Sequence, residues 1–477
     1  MHEQTSYLPP MLKIWFGIII ATIVYVAAIY APFGTFTPAG KHTFAVFCVA
    51  AFLWISNTFP LAVTGIIVLV LLPLSKTISA NDIYSYFGNS AIFFVLGAFI
   101  LASPIMRSGL SKRIAISIIA KFGKGPKRLV GSIFFLSSSL AFFISEHAVA
   151  AILLPIVLEI VNAANVGKRS RFAFASYMAM AWGAMIGGCA TLLGGARAPL
   201  ALGILQDTFS YHTKMGNYSE ISFVQWTFWV IPIVIGVLAV ACCFSLMIVH
   251  KSKVDIAKAR LTLMRHKQQI GKISKREVLT LLTVLITIML WVGYGNQLGL
   301  DWIALFGVIL AFSIKITDWK EVEKDVQWGV IIMYGSAIAL SVALRNTGAA
   351  HQIVLLIINL GIQSPFIILI LLIILAAILT ELMSNAASVA VLLPIGLALS
   401  VEYGIDPRVV TLAIATSAGL TFMLPVSTPA MALTVTSDYV RLHEAMLWGI
   451  ILKIAGVILI IAVAAIYWPL TGLSLTI

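Results

Sequence analysis

A chain of 477 residues that is 61% hydrophobic and only 10% charged is excluded from the water-soluble globular class. Its mean hydropathy is +1.04, and apolar runs of about 17–25 residues, long enough to cross a bilayer as helix, recur along it. The net charge of +13 fits Lys and Arg gathered in cytoplasmic loops and does not call for nucleic acid.

Period-two alternation is missing, which excludes a membrane β-barrel and leaves helices. The apolar run 14–33 lacks a small-residue cleavage signature and reads as a retained first span. Spans at 42–58 and 60–75 follow, and 90–108 returns. The stretch 112–122 reads as an amphipathic interfacial helix. Lys112, Arg113, Lys121, Lys124, Lys127 and Arg128 precede segment 128–164, and Lys168, Arg169 and Arg171 follow it. With basic residues on both flanks, that segment enters and leaves on the cytoplasmic side. Its arms, 129–144 and 148–163, make a re-entrant hairpin with Ser145-Glu146-His147 at the tip. A span over 172–205 is broken near Gly194-Gly195. The Lys-poor loop 206–222 faces outside, and 224–249 leads to a basic cytoplasmic linker, 251–276.

The second half repeats this order. Spans fall at 278–296, 302–317 and 328–346. A second hairpin covers 352–401 with Ser384-Asn385 at its tip, then come a broken span, 408–436, and a last helix, 445–468. Ser145-Glu146-His147 before Ala151-Ile152-Leu153-Leu154-Pro155-Ile156 matches Ser384-Asn385-Ala386 before Ala390-Val391-Leu392-Leu393-Pro394-Ile395, 239 residues on. Gly109 and Gly348 share that offset. The expected fold is all-α and polytopic, an inverted-repeat ion-transporter type with about 11 spans and two re-entrant hairpins. The first inverted half is 1–250 and the second 277–477. In such folds substrate and ions sit between the repeats near the midplane.

These residues resemble the divalent anion–sodium symporter family over roughly residues 40 to 470. The likeness includes Phe59-Pro60-Leu61-Ala62-Val63-Thr64, Leu72-Pro73-Leu74 and Phe94-Val95-Leu96-Gly97-Ala98-Phe99-Ile100. The family carries a Ser-Asn-Thr motif at each tip and a Gly-Thr-Pro-Pro-Asn-like turn in each broken helix. Here the second copy reads Ser384-Asn385-Ala386 and Leu424-Pro425-Val426-Ser427-Thr428-Pro429. The first departs, with Ser145-Glu146-His147 and Gly194-Gly195-Ala196-Arg197-Ala198-Pro199. The resemblance implies a homodimer moving as an elevator in a bacterial inner membrane, N-terminus cytoplasmic. It implies two sodium sites and a small anionic substrate, a di- or tricarboxylate, between the tips. It places substrate at Ser145, Glu146, His147, Arg197, Ser384, Asn385, Thr428 and Pro429, and a retained sodium ion at Ser384, Asn385, Ser427 and Thr428. No organic cofactor is expected.

Glu146 is an ionisable group inside the membrane, which is costly and points to function with a named partner. That partner is Arg197, whose guanidinium would stand in for one sodium, with Glu146 as counter-ion. The pair carries zero charge where sodium among neutral ligands carries one. Protonated His147 would restore it and make anion binding depend on pH. Glu381 reads equally as a proton carrier or a structural carboxylate. Arg107 and Arg345 read as interfacial anchors, Trp226 and Trp229 as an aromatic belt, and the four cysteines as small buried residues.

The expected function is secondary active transport of small anions with altered sodium coupling, or anion exchange. A sodium–proton antiporter of related fold, using Glu146 and His147, is the competing function. No phosphate-binding G-x-x-x-x-G-K-[ST] run and no H-E-x-x-H spacing occurs, so neither ATP hydrolysis nor a metalloenzyme is expected.

Overall fold

The computed structural model describes residues 10–31, 36–209, 218–250, 252 and 254–476. The start of the chain, residues 210–217 of the loop 206–222, and Lys251 and Lys253 of the linker lie outside the described residues. Among the described residues regular structure is helical, and the only β-pairing is one isolated bridge, Ile405 to Thr476. Among the described residues ten helices are long and apolar enough to cross a membrane, and Leu61–Leu74, Leu300–Ser313 and Ala349–Ile358 are shorter apolar helices. The first of the ten, ending at Tyr30, exposes Trp15 and Phe16. Apolar surface so exposed suits lipid rather than water.

The duplication is written into the backbone. Residues with positive φ pair up at the same 239-residue offset: Lys76 (55°) with Lys315 (56°), Gly109 (90°) with Gly348 (72°), and Asn165 (50°) with Gly404 (62°). Gly109 and Gly348 each end a long helix and start an amphipathic one, Leu110–Phe122 and Ala349–Ile358. The left-handed conformation there is open to glycine at little cost. The second hairpin is therefore shorter than the range 352–401. Its arms are Pro365–Leu382 and Asn385–Glu402. Ser364 caps the first arm and Pro365 opens it, which separates it from the amphipathic helix before it.

The first hairpin's arms are Pro126–Leu140 and Glu146–Ala163. Each hairpin is followed by a helix, an unwound stretch and a second helix. In the first half these helices are Arg171–Gly187 and Arg197–Phe209. In the second they are Pro407–Ser417 and Pro429–Val435. Every residue from Phe172 to Gly187 is buried. A helix apolar all round belongs in the middle of a bundle. It lies directly on the inbound hairpin arm, because a Cβ at Gly183 would come within 2.7 Å of Phe134 O.

The expected anchors do other work. Arg107 forms a fork on Asp325 at 2.6 and 2.7 Å. Arg345 donates to Asp207 O and Thr208 O, both at 2.7 Å, and so closes the end of the first broken helix. Trp226 and Trp229 are buried, not belted at an interface, and Trp226 Nε1 donates to Cys189 O.

Candidate functional site

Serine at each tip has a local task. Ser145 Oγ accepts from Ala148 N–H at 3.3 Å, and Ser384 Oγ accepts from Ala387 N–H at 3.2 Å. Both are N-caps in extended geometry that start the outbound arms. Glu146 and Asn385 are thereby the first helical residues of those arms. Arg197 is likewise the first residue of its helix. Three helix N-termini, each with free N–H groups and a positive dipole end, are brought together by the contacts of these residues.

At the centre lies the Glu146 carboxylate. Arg197 Nη1 donates to its Oε2 at 3.0 Å, and Asn385 Nδ2 donates to its Oε1 at 3.2 Å. Glu146 is 1% exposed and Arg197 2%. Glu146 and Asn385 are equivalent positions of the two repeats. A two-fold axis lets equivalent residues touch only on the axis, so the bond between the tips marks where the repeats' axis passes.

Each donor is itself held. Thr380 Oγ1 donates its one hydrogen to Ala418 O at 2.6 Å and lies 3.1 Å from Asn385 Oδ1. The Glu146 carboxylate only accepts, which sets the Asn385 amide with its nitrogen toward Glu146. Arg197 Nη2 lies 3.0 Å from Cys189 Sγ. Glu146 N–H donates to Gly194 O at 2.9 Å, tying the first tip to the first break. Tyr334, from the second half, donates to Ala196 O beside Arg197. Gly419, in the second break, packs on the guanidinium of Arg197, and a side chain there would strike it. The two unwound stretches thus meet at Arg197.

His147 stands aside. Its Nδ1 is 4.0 Å from Glu146 Oε1, and its side chain keeps 31% exposure. Thr428 Oγ1 caps Met431 N–H at 3.3 Å and lies 3.3 Å from Met185 Sδ, while Pro429 opens the short helix behind it. Ser427 Oγ donates to Leu424 O at 2.8 Å. Ser384, Asn385, Ser427 and Thr428 each have local hydrogen bonds, and no bond described joins the first two to the last two. The structure brings Glu146, Arg197 and Asn385 together, with His147 beside Glu146, and no hydrogen bond among the described residues ties Ser427, Thr428 or Pro429 to them.

Cys189, Thr380, Gly419 and Lys453 were missed by sequence reasoning. Cys189 is buried, as expected, and also touches the guanidinium, whereas Cys243 is exposed rather than buried. Lys453 had a legible signal, a lone cation inside the final apolar run. Its Nζ lies 2.5 Å from Glu381 Oε1.

The site can present a carboxylate with a guanidinium, an amide and helix N-termini, in a place closed to bulk water. Such a set recognises anions, and offers no nucleophile–base pair for bond making.

The comparisons agree with this chemistry. Residues 12–474 match the family described as the sodium:sulfate symporter transmembrane region. The sodium-dependent dicarboxylate transporter SdcS of Staphylococcus saprophyticus is 28% identical, over 96% of this chain and 92% of its own. SdcS of Staphylococcus aureus NCTC 8325 is 29% identical, over 90% of this chain and 86% of its own. Among solved structures, MtrF of Neisseria gonorrhoeae has a TM-score of 0.57 at 15% identity, covering 99% of this chain and 97% of its own. The YdaH transporter of Alcanivorax borkumensis has a TM-score of 0.55 at 14% identity, covering 98% of this chain and 100% of its own. Those two likenesses concern the fold. The chain belongs to the sodium:sulfate symporter family, and is an integral membrane transporter rather than an enzyme.

Proposed function

We propose that this protein is a secondary active transporter of small di- or tricarboxylates, and that Arg197 supplies the charge of one sodium ion. The observation that carries the reading is the Glu146 carboxylate itself. It sits where three helix N-termini meet, on donors from both repeats. A place that holds the protein's own carboxylate has the donors to hold a substrate's. Substrate carboxylate takes Asn385 Nδ2 from Glu146, while Arg197 keeps Glu146 neutralised. The hairpins and broken helices then move together, as an elevator against the remaining helices, in a homodimer of the bacterial inner membrane. The sodium dependence in the name of SdcS supports a sodium-coupled ancestry. The pairing of Glu146 with Arg197 supports reduced or altered coupling, or exchange, in this chain.

The test is ligand-induced thermal stabilisation of the purified protein by succinate, citrate and sulfate, with Asn385→Ala as control. Stabilisation by carboxylates that weakens in the variant is expected. Stabilisation by sulfate alone would overturn the substrate class. Absence of anion binding together with sodium-driven proton release would favour a sodium–proton antiporter built on Glu146 and His147.

A further inference from the structure

The inverted repeat provides an internal control for one arginine. Arg169 and Arg408 are equivalent positions, 239 residues apart, each at the start of the helix that follows a hairpin. Asp406 neutralises Arg408, accepting from its Nη2 at 2.6 Å and from its Nε at 3.1 Å. The same guanidinium lies 5.0 Å from the ring centre of Tyr218 and 5.9 Å from that of Trp229. The counterpart of Asp406 in the first half is Gly167, which brings no carboxylate. Among the described residues no ion pair includes Arg169 or Arg171, although Lys168 Nζ reaches Asp438 Oδ2 at 2.8 Å. One arginine of the pair is thus neutralised within the chain, and the other keeps its charge.

That charge borders a cavity. Arg169 and Arg171 line a hollow of about 420 Å³ together with Arg441 from the second half, a size within the range of small-ligand sites. Three guanidiniums meet one carboxylate there, Glu444, which pairs with Arg441. Arg441 is also the N-cap of Leu442–Ala462, a helix start without a side-chain cap. Its free N–H groups and positive dipole end add to the field. Trp448, lower on the wall, packs on Phe244 with ring centres 5.3 Å apart, which joins the last long helix to Phe223–His250. Beside them Met247 and Ile451 are exposed, as residues facing lipid are. Three residues beyond Met247 the chain ends its helix and enters the basic linker, which marks this face as cytoplasmic.

We propose that the hollow between Arg169, Arg171 and Arg441 binds the phosphate of an anionic phospholipid, with its acyl chains along Met247, Trp448 and Ile451. A free phosphate would use the arginines alone; a lipid uses the lipid-facing apolar wall as well. Basic pockets between spans at a cytoplasmic face suit acidic headgroups. Arginines of both halves close on one headgroup, so the lipid fastens the end of the first hairpin region to the last long helix. The inference needs the membrane placement of the chain and not its transporter reading.

The experiment is thermal stability of the delipidated, purified protein in micelles carrying phosphatidylglycerol or phosphatidylcholine. The proteins are the wild type, Arg169→Gln/Arg171→Gln, and Arg265→Gln/Lys267→Gln in the linker as a control. Phosphatidylglycerol should raise Tm in wild type and control, and phosphatidylcholine should not. The phosphatidylglycerol needed for half the rise should increase about tenfold or more in Arg169→Gln/Arg171→Gln. A rise that this variant leaves unchanged, or that the linker control loses equally, would overturn the site in favour of a diffuse basic surface. Inorganic phosphate that reproduces the rise without lipid would overturn the lipid and make the ligand a soluble phosphate. If the arginine variant does not fold, native mass spectrometry of the wild type decides. Retention of phosphatidylglycerol over phosphatidylcholine upholds the proposal, and equal retention overturns it.

Discussion

The two halves each seat a buried carboxylate, but on different kinds of donor. Glu146 is held by side chains, Arg197 and Asn385, which can turn away and return. Glu381 is held by three backbone N–H groups of the second break, which cannot move without the chain, beside the single side-chain donor Lys453. The difference assigns them different work. A carboxylate on rotatable donors can yield one of them to a visiting anion. A carboxylate on fixed donors shapes the unwound stretch and keeps its charge in place. On the proposed function, the first of the two equal frames is the exchangeable site and the second is the brace.

The comparison is broken most forcefully at Arg197. Arg197→Ala leaves Glu146 charged and unpaired at 1% exposure. Removing one member of a buried pair costs about 3–5 kcal/mol. Tm should fall steeply and succinate transport should vanish. The double variant Glu146→Gln/Arg197→Met should regain the stability without the transport. Full transport with unchanged ion dependence in Arg197→Ala would sink the assignment of Arg197 as a stand-in for sodium.

Glu381→Gln sharpens the other side. One acceptor becomes a donor facing backbone N–H groups and the buried Lys453 loses its counter-ion, so about 3–5 kcal/mol should be lost. Hydrogen exchange should quicken at 422–424 more than at the first break, a contrast that mass spectrometry of the intact protein reads.

Asn385→Ala removes one bond to Glu146 but leaves the ion pair. Stability should drop by about 1 kcal/mol, less than in the two cases above. Carboxylate affinity should fall further than stability does, because the amide is the group the substrate is proposed to take. A variant with wild-type affinity would remove Asn385 from the site.

The smallest effect belongs to Cys189→Ala, which loses a weak sulfur contact to Arg197 at 3.0 Å. A change under about 1 kcal/mol is expected, with transport retained. A large loss would mean that the thiol helps to aim the guanidinium.

Much of the fold could be read in advance, because long apolar runs and the shared Leu-Leu-Pro-Ile stretches are local signals. The partnership of Glu146 with Arg197 could also be read, since an intramembrane carboxylate demands a cation and few were at hand. The bond from Asn385 to Glu146 could not. It depends on where the repeats' axis falls, and that is set by packing of both hairpins. Glu381 stayed ambiguous for a similar reason. Three of its partners are backbone groups 41 to 43 residues on, which carry no side-chain signal, and only Lys453 could have been read. The boundary of the second hairpin was misplaced because Ala349–Ile358 and Pro365–Leu382 are both apolar. The Ser364-Pro365 cap between them was the cue that apolarity masked. Trp226 was given to the interface by residue type alone, whereas its indole serves the first break.

The central claim is that charge at the tips is built into the chain. The most direct measurement is uptake of labelled succinate into proteoliposomes preloaded with succinate, with and without an inward sodium gradient, at matched internal and external pH. The account predicts equal uptake in both conditions. Uptake that rises cooperatively with sodium, the sign of more than one sodium ion per substrate, would contradict it.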